Sequence, residues 1–236
     1  MNLPRFDKAS VLTLGDAMLD RYWYGSTSRI SAEAPVPVVE VADVEDRLGG
    51  AANVALNIAA LGAASYLVSV AGSDESGTVI RRKLASAGIH DGVLALDDYR
   101  TVTKLRLVSQ GQQMIRADFE DIRDIEPALL LPAYLAALDQ VQGVILSDYD
   151  KGAVSDPAPF IDAARRAGRS VLVDPKHKDF TLYAGATIIK PNKAEFRKAV
   201  GSWATEAELV EKCHRLIDQL GLEAMLVTRD SDGMTL

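Results

Sequence analysis

Gly49-Gly50-Ala51-Ala52-Asn53-Val54-Ala55-Leu56-Asn57-Ile58-Ala59-Ala60-Leu61-Gly62 is followed by Ala63-Ala64-Ser65-Tyr66-Leu67-Val68-Ser69-Val70-Ala71-Gly72, and this stretch decides the fold. Two glycines stand directly before a run of small apolar residues. In that run Val54, Ala55, Ile58 and Ala59 recur at the i, i+3, i+4 spacing of a buried helical face. Glycines at a helix start let backbone approach a ligand closely, because no Cβ intervenes. The free N–H groups and positive dipole end there favour an anionic or oxygen-rich partner. Asn53 and Asn57 lie one turn apart on the same face. Two readings of Asn53 stay open: a ligand contact, or a side chain satisfying its own helix start. Tyr66–Ala71 is then a core strand, so the stretch reads as helix and strand in succession.

Outward from this stretch the chain alternates. Val11–Leu14 is a short apolar strand ending at Gly15-Asp16. Pro35 and Pro37 introduce Val38–Ala42, an edge strand, since proline is tolerated at a strand start. Ser76–Ala87 is a surface helix closed by Gly88. Thr101–Val108 alternates, with Lys104 and Arg106 on one face. Gly111 turns the chain, and Met114–Glu120 alternates again, completing a hairpin. With residues 20–43 that hairpin is expected to form a small sheet lying over a cleft; a solvated hairpin whose charges keep it soluble is the other reading. Beyond it come strands at Gln142–Ser147, Ser170–Val173, Thr187–Ile189 and Ala224–Val227, and helices at Pro157–Ala167, after Asn192, and at Glu206–Leu220. Asn192 with Glu195 has capping-box spacing. Leu209, Cys213, Ile217 and Leu220 form an apolar stripe on which Cys213 is packing.

Alternation of this kind predicts an α/β fold: a doubly wound, mostly parallel sheet with helices on both faces, plus the small β-sheet. Ligands in such sheets bind beyond the carboxyl ends of the strands. Five strands terminate in Asp16, Asp148, Asp174, Asn192 and Arg229. One polar ending is expected by chance. Five on one edge, with the diglycine helix opening nearby, predict a single polar crevice suited to hydroxyls, phosphates and a metal.

Bulk properties narrow the function. The 236 residues form one substantial core, 48% hydrophobic and 25% charged. A net charge of −7 argues against nucleic acid. A lone cysteine excludes a disulfide framework. The absence of a long apolar run, and an N-terminus without an apolar signal region, make a cytoplasmic location the expectation, with no membrane partner. No Gly-x-Gly-x-x-Gly follows the first strand, and no P-loop or Gly-x-Ser-x-Gly run occurs. His90, His177 and His214 lack zinc-ligand spacing.

With these residues in hand, the chain resembles the ribokinase-like (PfkB) family of sugar kinases. The run Gly49–Ala55, with Gly62 and Gly72, matches that family's first signature. Gly15–Gly25, Thr27–Ser31, Glu33–Val38, Leu146–Tyr149, Lys151-Gly152 and Asp174–Lys176 are similar to the heptose 7-phosphate kinases within it. The resemblance covers essentially the whole chain. It implies ATP-dependent phosphorylation, with Mg²⁺, of the C1 hydroxyl of D-glycero-β-D-manno-heptose 7-phosphate, the sugar of the lipopolysaccharide inner core. It also implies a homodimer formed through the lid segments 20–43 and 101–120.

Residue by residue, the resemblance implies that Asp16, Gly49, Gly50, Asn53 and Asp148 contact the sugar. Asn192-Lys193-Ala194-Glu195 would hold the nucleotide phosphates, with Glu195 reaching Mg²⁺ through water. Thr228, Arg229 and Gly233 would begin the nucleotide loop. The substrate phosphate needs cations. Arg29, Lys104, Arg106, Arg116, Lys151 and Lys176 are the candidates, Lys176 alternatively stabilising the transferred phosphoryl group. A kinase for another sugar or sugar phosphate, and a non-catalytic sugar-binding or dimerisation module, are the alternatives.

One family feature is missing. The second signature, Asp-Thr-x-Gly-Ala-Gly-Asp, supplies the anion hole and the catalytic base, and no such run occurs in the 236 residues. The resemblance implies that it belongs beyond the position of Leu236, so no catalytic base is assigned within this chain. A positioned base contributes about 10²–10⁴-fold and one anion-hole donor about 10²–10³-fold. The expectation is a fold incomplete at its C-terminus, a piece of a longer gene product that is silent or nearly so by itself.

Overall fold

The computed structural model describes residues 5–236. Met1–Pro4, which entered the reading of the N-terminus, lie outside them. In chain order the elements are β1 (Ser10–Gly15), β2 (Ala17–Ile30), β3 (Pro37–Gly50), α1 (Ala51–Ala60), β4 (Ala64–Gly72), α2 (Glu75–Ser86), β5 (His90–Leu96), β6 (Thr103–Ser109) and β7 (Gln112–Phe119). There follow α3 (Pro127–Leu138), β8 (Gly143–Ser147), α4 (Ala158–Arg166), β9 (Ser170–Asp174), β10 (Ile188–Ile189), α5 (Lys193–Val200), α6 (Glu206–Leu220), β11 (Ala224–Met225), β12 (Val227–Thr228) and β13 (Met234–Thr235).

Seven strands make the central sheet in the order β11-β10-β9-β8-β1-β4-β5, every pair parallel. Parallel strands need crossovers, and helices supply them on both faces. The period of two along β4 divides the core. Val68 and Val70 join Leu12, Leu14, Leu130, Tyr134 and Phe160 on the face covered by α3 and α4. Leu67 and Ala71 join Ala51, Ala52, Ala55, Ile80 and Leu84 on the face covered by α1 and α2. No helix among the described residues is long and apolar enough to cross a membrane.

The second sheet has four strands in the order β3-β2-β6-β7. It takes in residues 17–50 at its first segment, wider than the 20–43 expected, because β2 leaves β1 after one residue and β3 runs directly into α1. Proline-led β3 is its edge, as the sequence indicates.

Some helix signals hold in detail. Gly221 closes α6 in the left-handed conformation at φ 67°, and Thr205, which the sequence reading passed over, caps its start by accepting from the Glu208 N–H. On α1 the buried face is Ala51, Ala52 and Ala55, whereas Val54, Ile58 and Ala59 are only half-buried. Two elements have little sequence signal. In α3, Pro132 sits inside a helix apolar on all sides, so no period emerges. In β5, Gly92 and the polar start His90-Asp91 mask the strand.

Candidate functional site

Because all seven strands are parallel, the residues that follow them gather on one edge. Across it from β10 to β1 the order is Asn192, Asp174, Asp148, Asp16; Arg229 follows β12, outside this sheet, where Thr228 makes a single parallel bridge to Asn192. Asp16 is the junction. Gly50, at φ 55° and ψ −136°, turns β3 into α1, and the Ala51 N–H donates to the Asp16 carbonyl at 2.9 Å. A methyl added at Gly50 would stand 2.2 Å from that oxygen. Only glycine fits there, since the conformation excludes side chains and the space excludes a Cβ. At Gly49 an added methyl would meet the Asp20 carboxylate at 2.4 Å.

The Asp16 carboxylate is 3% exposed and faces inward. Its Oδ2 accepts from the Tyr149 and Lys151 N–H groups at 2.8 and 3.2 Å, and its Oδ1 from the Ala153 N–H at 2.9 Å. It thereby shapes the loop after β8, where Asp150 (φ 59°) and Gly152 (φ 108°) are left-handed. Burial pushes its carboxyl up to about 6, with the Asp148 charge adding to the rise against the three N–H donors.

Asp148 is also buried. Its Oδ1 accepts from the Asp150 N–H at 2.7 Å, and its Oδ2 accepts from the Tyr183 hydroxyl. Burial, with the Asp148 charge beside it, holds that hydroxyl far above its ordinary value. His177 Nε2 stands 3.6 Å from Asp150 Oδ1. Sequence reasoning missed Tyr183, because a contact across 35 residues leaves no periodic trace.

Beside Asp148 a cleft of about 280 Å³ opens between the ends of β8, β9 and β10, with Asp174, Lys176, Lys190, Asn192 and Glu195 on its walls. The capping box is present: Asn192 Oδ1 accepts from the Glu195 N–H at 2.8 Å, and Glu195 Oε2 from the Asn192 N–H at 2.9 Å. Glu195 Oε1 is ion-paired with Lys176 Nζ at 3.7 Å. Asp174 is paired with Lys190 at 2.9 Å and the Asn192 amide oxygen is used in the cap, which leaves Glu195 as the carboxylate on this wall that a hydrated hard cation would meet through water. Lys193 opens α5 ahead of Ala194 and pairs with Asp232 at 3.1 Å. Thr228 pairs with Met234 across the β12–β13 hairpin, and its turn, Arg229 to Gly233, is closed by the Arg229 N–H donating to the Gly233 carbonyl. The Arg229 guanidinium is tied to Glu206 at 2.5 Å. Leu236, the residue past which the base is expected, directly follows β13 and is 83% exposed. Its apolar side chain is no proton acceptor and stands outside the walls of the cleft, so it marks a position in the chain and is not itself a site residue.

Asn53 is exposed, and its side chain makes no hydrogen bond to its own helix among the described residues. It lines a groove of about 710 Å³ between β3, α1 and α2. The single crevice expected from the strand ends is therefore corrected. Asn53 and Asn192 line separate openings, and buried Asp16 bonds to the elements flanking both. The reason is that its carboxylate is used inside the protein to build the 149–153 loop.

The six candidate phosphate ligands separate as well. Register places Lys104, Arg106 and Arg116 on one face of the four-stranded sheet. All three are ion-paired, Lys104 with Asp118 at 3.0 Å, Arg106 with Asp20 at 2.6 Å and Arg116 with Asp118 at 2.9 Å. Lys151 pairs with Glu120 at 2.8 Å. Arg29 lies near the far end of β2, 68% exposed and 3.9 Å from Glu40. The structure brings Lys104, Arg106 and Arg116 together on that sheet and leaves Arg29 apart from them.

Comparison with known proteins accords with this geometry. The family model for pfkB family carbohydrate kinases matches residues 8–236. The chain is 54% identical over 236 residues to the bifunctional protein HldE of Stutzerimonas stutzeri, covering 100% of this chain and 50% of that protein. It is 52% identical over 235 residues to the protein of the same name from Vibrio cholerae, covering 99% and 49%. The chain thus spans about half the length of the curated relatives it matches. Among solved structures it is similar to Arabidopsis thaliana ribokinase complexed with ribose and ATP, at a TM-score of 0.72 and 19% identity, covering 96% of this chain and 74% of that one. It is also similar to Giardia lamblia ribokinase, at a TM-score of 0.75 and 17% identity, covering 96% and 76%. Because the family model matches residues 8–236, the chain belongs to the pfkB family of carbohydrate kinases.

Proposed function

We propose that this chain is the sugar-kinase part of an enzyme that phosphorylates the C1 hydroxyl of D-glycero-β-D-manno-heptose 7-phosphate with ATP and Mg²⁺. The observation that carries the reading is the Asp16 junction. One residue anchors the diglycine turn by its carbonyl and the 149–153 loop by its carboxylate, between the Asn53 groove and the Asn192–Glu195 cleft. The choice of heptose 7-phosphate rests on the 15–38 block and on the HldE relatives.

In this reading the sugar hydroxyls meet Asn53 and the backbone of Gly49 and Gly50. Asp16 and Asp148 act there mainly by shaping the loop that closes over them. The nucleotide phosphates take the first turn of α5, Lys193 and Ala194, with Thr228, Arg229 and Gly233 at the nucleotide edge. Glu195 holds the hydration shell of Mg²⁺, whose charge would neutralise the phosphates in transfer. Lys176 and Lys151, and the lid trio Lys104, Arg106 and Arg116, exchange their carboxylate partners for substrate phosphate as the lid closes. Two protomers pair through the lid, where Val41, Val44 and Ile115 are exposed apolar residues and β3 offers an open edge. Arg29 serves only where a second lid comes near.

The 236 residues by themselves are proposed to turn over slowly or not at all, as no residue up to Leu236 matches the family's base. Calorimetry with heptose 7-phosphate and with ATP·Mg²⁺, beside a phosphoryl-transfer assay on the same chain, tests the reading. Binding of both ligands with negligible transfer is expected. Equal affinity across a sugar-phosphate panel would favour another substrate. Binding of sugar with no binding of nucleotide would favour a non-catalytic module.

A further inference from the structure

At the end of the central sheet away from the cleft, a second concavity carries charges that nothing neutralises. β9 ends in the cleft at Asp174 and begins at Ser170. Ser170 lines a pocket of about 320 Å³, together with Arg165 and Arg169 from the end of α4, Thr187 ahead of β10 and Glu223 ahead of β11. The Arg169 Nε is buried without a hydrogen-bond partner. Neither guanidinium has a carboxylate within 4.0 Å among the described residues. Capping of helix ends does not account for the two arginines. The Gly168 and Arg169 N–H groups donate to the Arg165 and Ala164 carbonyls at 3.0 and 2.9 Å, and the Leu222 N–H to the Ile217 carbonyl at 3.0 Å, so backbone closes both α4 and α6. Arg165 lies along the loop at Gly185, where a methyl added to the glycine would stand 2.6 Å from its Nη1. Glu223 is the one carboxylate lining the pocket among the described residues. Two cations thus face one anion, in a protein of net charge −7.

We infer that this pocket binds a phosphate-sized oxyanion, free or carried on an organic monoester. A buried N–H without a partner costs free energy that an acceptor recovers, and Arg169 Nε–H is such a donor. Two guanidinium forks match the paired oxygens of a tetrahedral oxyanion, and the concave wall concentrates their field. Thr187 Oγ1 accepts from the Val171 N–H at 2.9 Å, which leaves its O–H to donate as well. An anion seated here breaks no ion pair. Because Ser170 and Asp174 are opposite ends of one strand, it also leaves the Asn192–Glu195 cleft open. The inference therefore stands or falls apart from the kinase reading.

Nitrogen–proton correlation spectra of the 236-residue chain, titrated with inorganic phosphate at constant ionic strength, test the assignment. The Gly168 and Gly185 amide signals are expected to move and saturate with phosphate, and to stay in place with sodium chloride. Losing two charge-assisted contacts in Arg165→Gln/Arg169→Gln is expected to weaken that binding about tenfold or more. Glu223→Gln, which removes the opposing charge, is expected to tighten it about twofold or more. Dispersed amide signals check that each variant is folded. Phenyl phosphate titrated in the same way separates the two sources of the anion. Tighter binding than that of inorganic phosphate marks a monoester site and weaker binding a site for the free ion, and either supports the assignment. Signals that do not move, that move equally with chloride, or whose midpoint is unchanged in Arg165→Gln/Arg169→Gln or in Glu223→Gln overturn it.

Discussion

Replacing Gly50 by alanine strikes the junction on which the site is built. At φ 55° and ψ −136° the residue occupies a region that L side chains avoid, which costs about 1–3 kcal/mol. The added methyl would also sit 2.2 Å from the Asp16 carbonyl oxygen and 2.8 Å from Met18 Cε. Backbone cannot swing aside as a side-chain tip does, so relief requires α1 to move, at about 1–3 kcal/mol for overpacking. That movement breaks the Ala51 N–H bond to Asp16, worth about 1 kcal/mol. Together the loss is about 3–7 kcal/mol, a large part of the stability of a typical domain. Gly62→Ala is the matched control. Its φ is 89°, but an added methyl there meets open space, so only the left-handed conformation counts against it, at about 1–2 kcal/mol. Urea titrations followed by circular dichroism give both values if the m-values agree. A Gly50→Ala loss no greater than that of Gly62→Ala would refute the close-contact argument.

Three further outcomes are expected. Asp16, raised from 3.8 to about 6, binds its proton more tightly folded than unfolded; its contribution is fully present below 3.8 and is lost as pH rises through 6, by about 3 kcal/mol. Stability of the unsubstituted chain should therefore fall between about pH 4 and 7 relative to Asp16→Asn, and parallel curves would contradict this. Tyr183→Phe leaves buried Asp148 short of a donor and should destabilise by about 1–3 kcal/mol in urea melts, with the loss absent in an Asp148→Asn background. Cys213 is buried with its thiol pushed up to about 11, so a disulfide reagent at about pH 8 should label it only after denaturant is added, and rapid native labelling would count against the packing on α6.

Local rules carried the fold far. The period of two along β4, the Thr205 and Asn192 caps and Gly221 after α6 each act within a few residues, so they are legible without neighbours. Where local signals conflict, only packing decides: α3 exists despite Pro132 because Leu130, Tyr134 and Leu138 bury against the sheet.

The sequence by itself determined the alternation of strands and helices, the diglycine turn and the set of polar residues ending the strands, because those follow from side-chain period and backbone preference. Only the tertiary structure decided what those residues face. It turned the Asp16 carboxylate inward to three backbone N–H groups, divided one expected crevice into a groove and a cleft, and set every predicted phosphate cation beside a carboxylate. Burial and charge pairing depend on groups distant in the chain, and no spacing rule encodes the distance between them.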